Sequence, residues 1–160
     1  MRSDYALMDA SELVQDAVIA ALSGELEVFD SDSGYCNRVT RQILSAALGL
    51  SYDEYMAQFL THRVEEEPPG EVWARSLQRS LREAGLQIPL GEVVGGCLAF
   101  NHKIGAPVGH VAVVHSAGRH GVILYENTST KRGILAHGHN RLTRLEEWPY
   151  PEHAEFFRLR

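Results

Sequence analysis

Cys36 stands where the turn-rich stretch Asp30-Ser31-Asp32-Ser33-Gly34-Tyr35 gives way to residues with helical spacing. A thiol at a helix N-terminus faces unpaired backbone N–H groups and a partial positive charge, which lower its pKa and can hold an oxyanion. That is the setting of a cysteine nucleophile. The competing reading is a small core side chain on the face of Val39 and Ile43. His110 opens the apolar run Val111-Ala112-Val113-Val114, so a strand would hold its imidazole at a sheet edge. A second run, Val122-Ile123-Leu124-Tyr125, ends in Glu126 and Asn127. A hairpin through 116–121 returns the end of the second strand beside the start of the first, which brings Glu126 or Asn127 toward His110. A partner there would orient the ring and stabilise the imidazolium formed when the thiol loses its proton. Strand alternation lets only one of the two face the ring.

The elements that must position these groups are legible in outline. Residues 10–22 put Leu13, Val14, Ala17, Val18 and Ala21 at helical spacing behind Ser11, with Gly24 as the stop. A second helix starts near Cys36 and ends before Gly49. Residues 52–62 and 71–84 carry two further helical patterns. Between them, Glu65-Glu66-Glu67-Pro68-Pro69-Gly70 reads as a solvated connection. After Gly85 the texture changes to short β-prone runs at 93–100, 111–115, 122–125 and 156–159, an antiparallel meander. The expected architecture is α+β in a single domain over 1–160: helices over about 10–85, packed on one side of a small antiparallel sheet over about 92–160.

With these residues in view, Cys-Asn-Arg-Val-Thr-Arg-Gln-Ile-Leu (36–44) resembles the nucleophile helix of papain-like cysteine amidases and peptidases of the CHAP and NlpC/P60 type. Gly95-Gly96-Cys97-Leu98-Ala99-Phe100, Gly109-His110-Val111-Ala112-Val113-Val114 and Gly121-Val122-Ile123-Leu124-Tyr125-Glu126-Asn127 are similar to that family's three strands, in the same order, over about residues 30–130. The resemblance implies a papain-like fold and a cysteine-dependent hydrolase that cuts amide bonds of peptidoglycan peptides, cofactor-free, with Cys36 as nucleophile, His110 as base and Tyr35 lining the substrate cleft. Cysteine before histidine fits hydrolases rather than permuted acyltransferases. For the orienting residue, Asn127-Thr128-Ser129 resembles the papain-type ending and favours Asn127, while CHAP-type enzymes favour a glutamate, here Glu126. Cys97 stands where the family has Asp and reads as a buried strand residue. The glutamine upstream of the cysteine in papain is absent, so the expected oxyanion site would use the Cys36 backbone N–H and an unassigned donor from the preceding turn. Two other readings stay open: an intracellular peptidase or isopeptidase acting on proteins, and a catalytically inactive structural or adaptor member of the same fold.

Composition bounds these readings. The chain has 160 residues, 44% hydrophobic, with 15 Lys+Arg against 21 Asp+Glu and a net charge of -6. That length suits one domain with an ordinary core. No apolar run is long enough for a membrane span, and residues 1–9 lack the pattern of a secretory signal, so the expectation is cytoplasmic synthesis with any release to the wall or a virion by other means. Dispersed cations argue against nucleic acid and anionic membranes as partners. Two cysteines offer neither zinc spacing nor a disulfide framework. His137 and His139 read as loop residues with no carboxylate or cysteine at ligand spacing, and His115 and His120 as surface groups, so no metal is expected. Trp73 and Trp148 read as core or edge anchors, and Arg132, Arg141, Arg144, Arg158 and Arg160 make 131–160 the most basic segment.

Overall fold

The computed structural model describes residues 9–30, 35–127 and 139–160. Four helices precede most of the sheet: α1 (Ala10–Ser23), α2 (Cys36–Leu48), α3 (Tyr52–Phe59) and α4 (Ala74–Glu83). Their ends follow local chemistry. The Asp9 carboxylate accepts from the Glu12 N–H at 3.0 Å and caps α1, so the cap lies two residues ahead of the expected Ser11. Ser51 and Glu54 close a reciprocal capping box on α3. Gly24 and Gly49 end α1 and α2 in the left-handed conformation.

Two helices are shorter than their sequence patterns. The pattern over 52–62 stops at Phe59 because the following backbone bonds to α4: the His62 N–H donates to Ser80 Oγ at 2.9 Å and the Val64 N–H to Ser76 Oγ at 3.0 Å. The pattern over 71–84 begins only at Ala74, since the Trp73 N–H is taken by the Glu67 carboxylate at 2.8 Å. Glu67 also accepts from Arg63 Nε at 2.6 Å, and its side chain is 4% exposed. The acidic segment is therefore more than a solvated connection: one of its carboxylates is built into the start of α4.

The six strands are β1 (Gln87–Ile88), β2 (Leu98–Asn101), β3 (His110–Gly118), β4 (Gly121–Glu126), β5 (Arg141–Arg144) and β6 (Glu155–Phe157). They form one antiparallel sheet in the order β1-β6-β2-β3-β4-β5. Strands β2, β3 and β4 follow one another as the expected meander, which the unexpected β5 extends beyond β4. The C-terminal β6 instead inserts between β1 and β2, where its consecutive Phe156 and Phe157 bury on opposite faces. Sequence periodicity missed β1 and β5, which are short and mostly exposed. The arginines of β5 leave a charged edge, which discourages further strand pairing. The run expected as a strand over 93–100 starts pairing in register only at Leu98, after a turn at Gly95 and Gly96.

The period of two sorts the core. Leu98, Phe100, Val111, Val113 and Phe157 pack under the helices with Val14, Ile43, Leu44 and Leu77. Ala99, Ala112, Val114, Leu124 and Phe156 face the other way, onto Val93, Ile104 and Trp148 from connecting segments. The helices do lie on one face, yet the opposite face is also covered. Cys97, wholly buried just before β2, belongs to this second cluster. No helix of the described residues is long and apolar enough to cross a membrane.

Candidate functional site

Cys36 is the first residue of α2, after Tyr35, so its backbone N–H is one of the helix's unpaired donors. Helix α2 packs against β3, where His110 opens the strand. The thiol is half-buried, and the His110 ring and the Val111 backbone N–H beside it both draw its pKa down. That N–H is available because the β3–β4 pairing begins only at Val113 and Tyr125.

On the other side of the ring, His110 Nε2 lies 2.6 Å from Glu126 Oε1, with the imidazole 5% exposed. This leaves Nδ1 for the sulfur. Trp148 donates its indole N–H to both Glu126 oxygens, at 3.0 and 3.2 Å. Its ring also meets the His110 ring edge-on, centroids 5.4 Å apart and planes at 70°. Thiol, imidazole, carboxylate and indole thus form one continuous chain, and the carboxylate at its core is 1% exposed.

The thiol and imidazole charges reinforce each other. Burial pushes the Cys36 thiol up, but the His110 charge and hydrogen bond, with the Val111 N–H, outweigh it and hold the thiol below its ordinary value; Glu126 opposes them. Burial pushes His110 down, yet the Cys36 charge and hydrogen bond, followed by those of Glu126, raise it to about 10. With the thiol lowered and the imidazole raised, the balance of the pair leans toward thiolate and imidazolium. Cys97 contrasts with it, since burial raises that thiol.

The preference for Asn127 as the partner of His110 is corrected: the carboxylate on the ring is that of Glu126. By strand alternation Glu126 shares the face of Leu124, where Trp148 and Ala112 also lie, whereas Asn127 falls on the side of Tyr125. Asn127 fastens the chain ahead of the thiol. Its Oδ1 accepts from the Tyr35 N–H at 2.9 Å, and its amide donates to Asn140 Oδ1 at 2.8 Å. Asn140 in turn donates to the Phe29 carbonyl at 2.7 Å. Tyr35 is 49% exposed, its ring set edge-on against Phe29 at 5.3 Å.

A cleft of about 330 Å³ opens at the thiol, lined by Tyr35 and Cys36 together with Asn37, Arg41, Tyr55 and Val72. A larger groove of about 770 Å³ runs past Arg75, Arg79, Arg82 and His102 but includes neither Cys36 nor His110. Trp148 is the contributor that sequence reasoning missed. As an apolar residue far along the chain it carries no local signal of its bond to Glu126. Among the described residues no group of three or more His, Cys, Asp or Glu side chains is arranged to hold a metal. His137, Arg132 and the turn 31–34, from which a second oxyanion donor was expected, lie outside the described residues. In comparison with known proteins, the chain matches no family model, no curated protein and no solved structure.

Proposed function

We propose that this chain is a cysteine-dependent hydrolase of amide bonds on a papain-like scaffold, acting on the peptides of peptidoglycan. The observation that carries the reading is the Cys36–His110–Glu126 chain, closed by the Trp148 indole. Its order along the sequence and its elements, helix start then two neighbouring strands, agree with the motif resemblance of residues 36–44 and 95–127.

The chemistry follows from the geometry. The Cys36 thiolate adds to the amide carbonyl, and the developing oxyanion is met by the unpaired Cys36 N–H at the start of α2. As the C–N bond breaks, the His110 imidazolium gives its proton to the leaving amine, leaving a thioester on the sulfur. The neutral ring then takes a proton from water, whose oxygen adds to the thioester; the carboxylic acid departs and the thiolate–imidazolium pair returns. Glu126 holds the ring and stabilises its charge throughout, and Trp148 holds Glu126.

Amines newly released from purified cell wall, measured for wild type and for Cys36→Ala, test this reading. Release by the wild type alone is expected; equal release by both overturns it. A second reading, cleavage of a peptide or isopeptide bond in a protein, is favoured by the net charge of -6, which repels an anionic wall. Turnover of an isopeptide-linked protein by wild type, with intact wall untouched, would select it.

A further inference from the structure

We propose that the cleft beside Cys36 is a subsite for a carboxylate carried by the substrate within about two residues of the cleaved bond, bound by Arg41 and Arg38 with the Tyr55 hydroxyl. The proposal rests on the hydrolase reading and names what that site selects.

Four of the groups lining the cleft point to such a ligand. Tyr55 is 1% exposed, and its hydroxyl has no hydrogen-bond partner among the described residues. Buried hydroxyls are nearly always satisfied, so one left open in the wall of a cleft is a place for a ligand atom. The Arg41 guanidinium is close enough for its charge to act on that hydroxyl. Arg41 lies over the Tyr52 ring at 4.8 Å and Arg38 over the Phe29 ring at 4.0 Å. Stacking fixes each guanidinium plane while leaving its N–H edges for an oxyacid. Neither arginine has a carboxylate partner among the described residues, in contrast to Arg63, Arg75, Arg82, Arg144 and Arg158. None of the lining residues is acidic, although the chain as a whole carries -6.

The fourth group sets the direction of the peptide. The Asn37 amide donates to the Val72 carbonyl at 2.9 Å, which orients its Oδ1 as a buried acceptor with no partner among the described residues. An acceptor there suits a substrate N–H, while Arg41, Arg38 and Tyr55 supply the donors that a carboxylate needs. Arg38 and Arg41 are neighbours on the surface of α2. Cys36 and Arg41 are separated along the helix by about 7–8 Å, the reach of roughly two extended residues.

Binding to the Cys36→Ala chain tests the subsite without requiring reaction. The probes are acetylated, amidated tetraalanine peptides with Glu or Gln at the second position, and the Gln peptide with a free C-terminal carboxylate, measured by calorimetry in low salt. The expected result is at least about tenfold tighter binding of a carboxylate-bearing peptide than of the amidated Gln peptide. The Glu arm and the free-acid arm distinguish an acidic side chain from a chain terminus. Arg41→Gln should erase the preference and Tyr55→Phe should weaken it several-fold, with the Tm of each variant recorded to show that it folds. Equal binding of acidic and neutral peptides, a preference that survives Arg41→Gln, or no binding of any probe overturns the proposal. Alkylation of wild-type Cys36 by iodoacetamide, which is small and neutral, reads the nucleophile separately. Rapid alkylation without charge preference overturns the subsite alone, and charge-selective binding with an inert thiol overturns the hydrolase reading alone.

Discussion

His110 sits between two groups that are anionic when it is charged, and this governs both its proton and the thiol's reactivity. The thiolate is lost as pH falls through the lowered Cys36 value, and the imidazolium is lost as pH rises through about 10. Amide hydrolysis should therefore show a plateau whose alkaline limb lies near pH 10, because the ring can no longer protonate the leaving amine. A kcat/KM profile checks this. Removing the carboxylate in Glu126→Gln withdraws a group that raises the ring, so the alkaline limb should move to lower pH while kcat/KM falls by about 100-fold. Trp148→Phe strips the donor from a buried carboxylate and should cost about 1–3 kcal/mol of stability, read by urea unfolding, along with a smaller loss of rate.

At the scale of elements, the site depends on how the start of α2 is fastened to the ends of β3 and β4. Asn127 and Asn140 tie the backbone on both sides of residues 31–34, at Phe29 and Tyr35. Asn127→Ala should cost about 1–3 kcal/mol and lower the alkylation rate of Cys36, yet leave the alkaline limb in place, since the ring keeps its carboxylate. That separates it from Glu126→Gln. Gly109, just ahead of His110, has φ +81°, and an added Cβ would lie 2.9 Å from the Arg75 side chain. Gly109→Ala should therefore cost about 1–3 kcal/mol of backbone strain and displace the ring, which thermal unfolding and the alkylation rate would register.

Across the whole molecule, a net charge of -6 surrounds a cleft with two stacked arginines and no acidic lining residue. Long-range repulsion and local attraction act over different distances. Raising salt shortens the screening length from about 30 Å at 0.01 M to about 8 Å at 0.15 M, which suppresses the distant field more than a contact inside the cleft. Cleavage of an intact anionic wall should thus speed up over this range, while alkylation by neutral iodoacetamide should not change. Rates measured at matched pH check both.

Much of this was legible along the chain because it is local. The four helices, the turn to β after Gly85, and the hairpin that returns the end of β4 toward the start of β3 follow from periodicity, glycines and caps that act within a few residues. The candidate thiol and imidazole are legible for the same reason: each stands at the start of an element. Decisions that depend on distant partners were not. Helix α3 stops early because serines of α4 take its outgoing backbone, β6 enters the sheet beside β2, and the choice between Glu126 and Asn127 turned on which face Trp148 covers. The sequence by itself determined which groups could react and the order in which the chain presents them. Only the tertiary structure decided their partners, because a buried carboxylate needs a donor and no spacing rule says that the donor comes from a tryptophan in another segment.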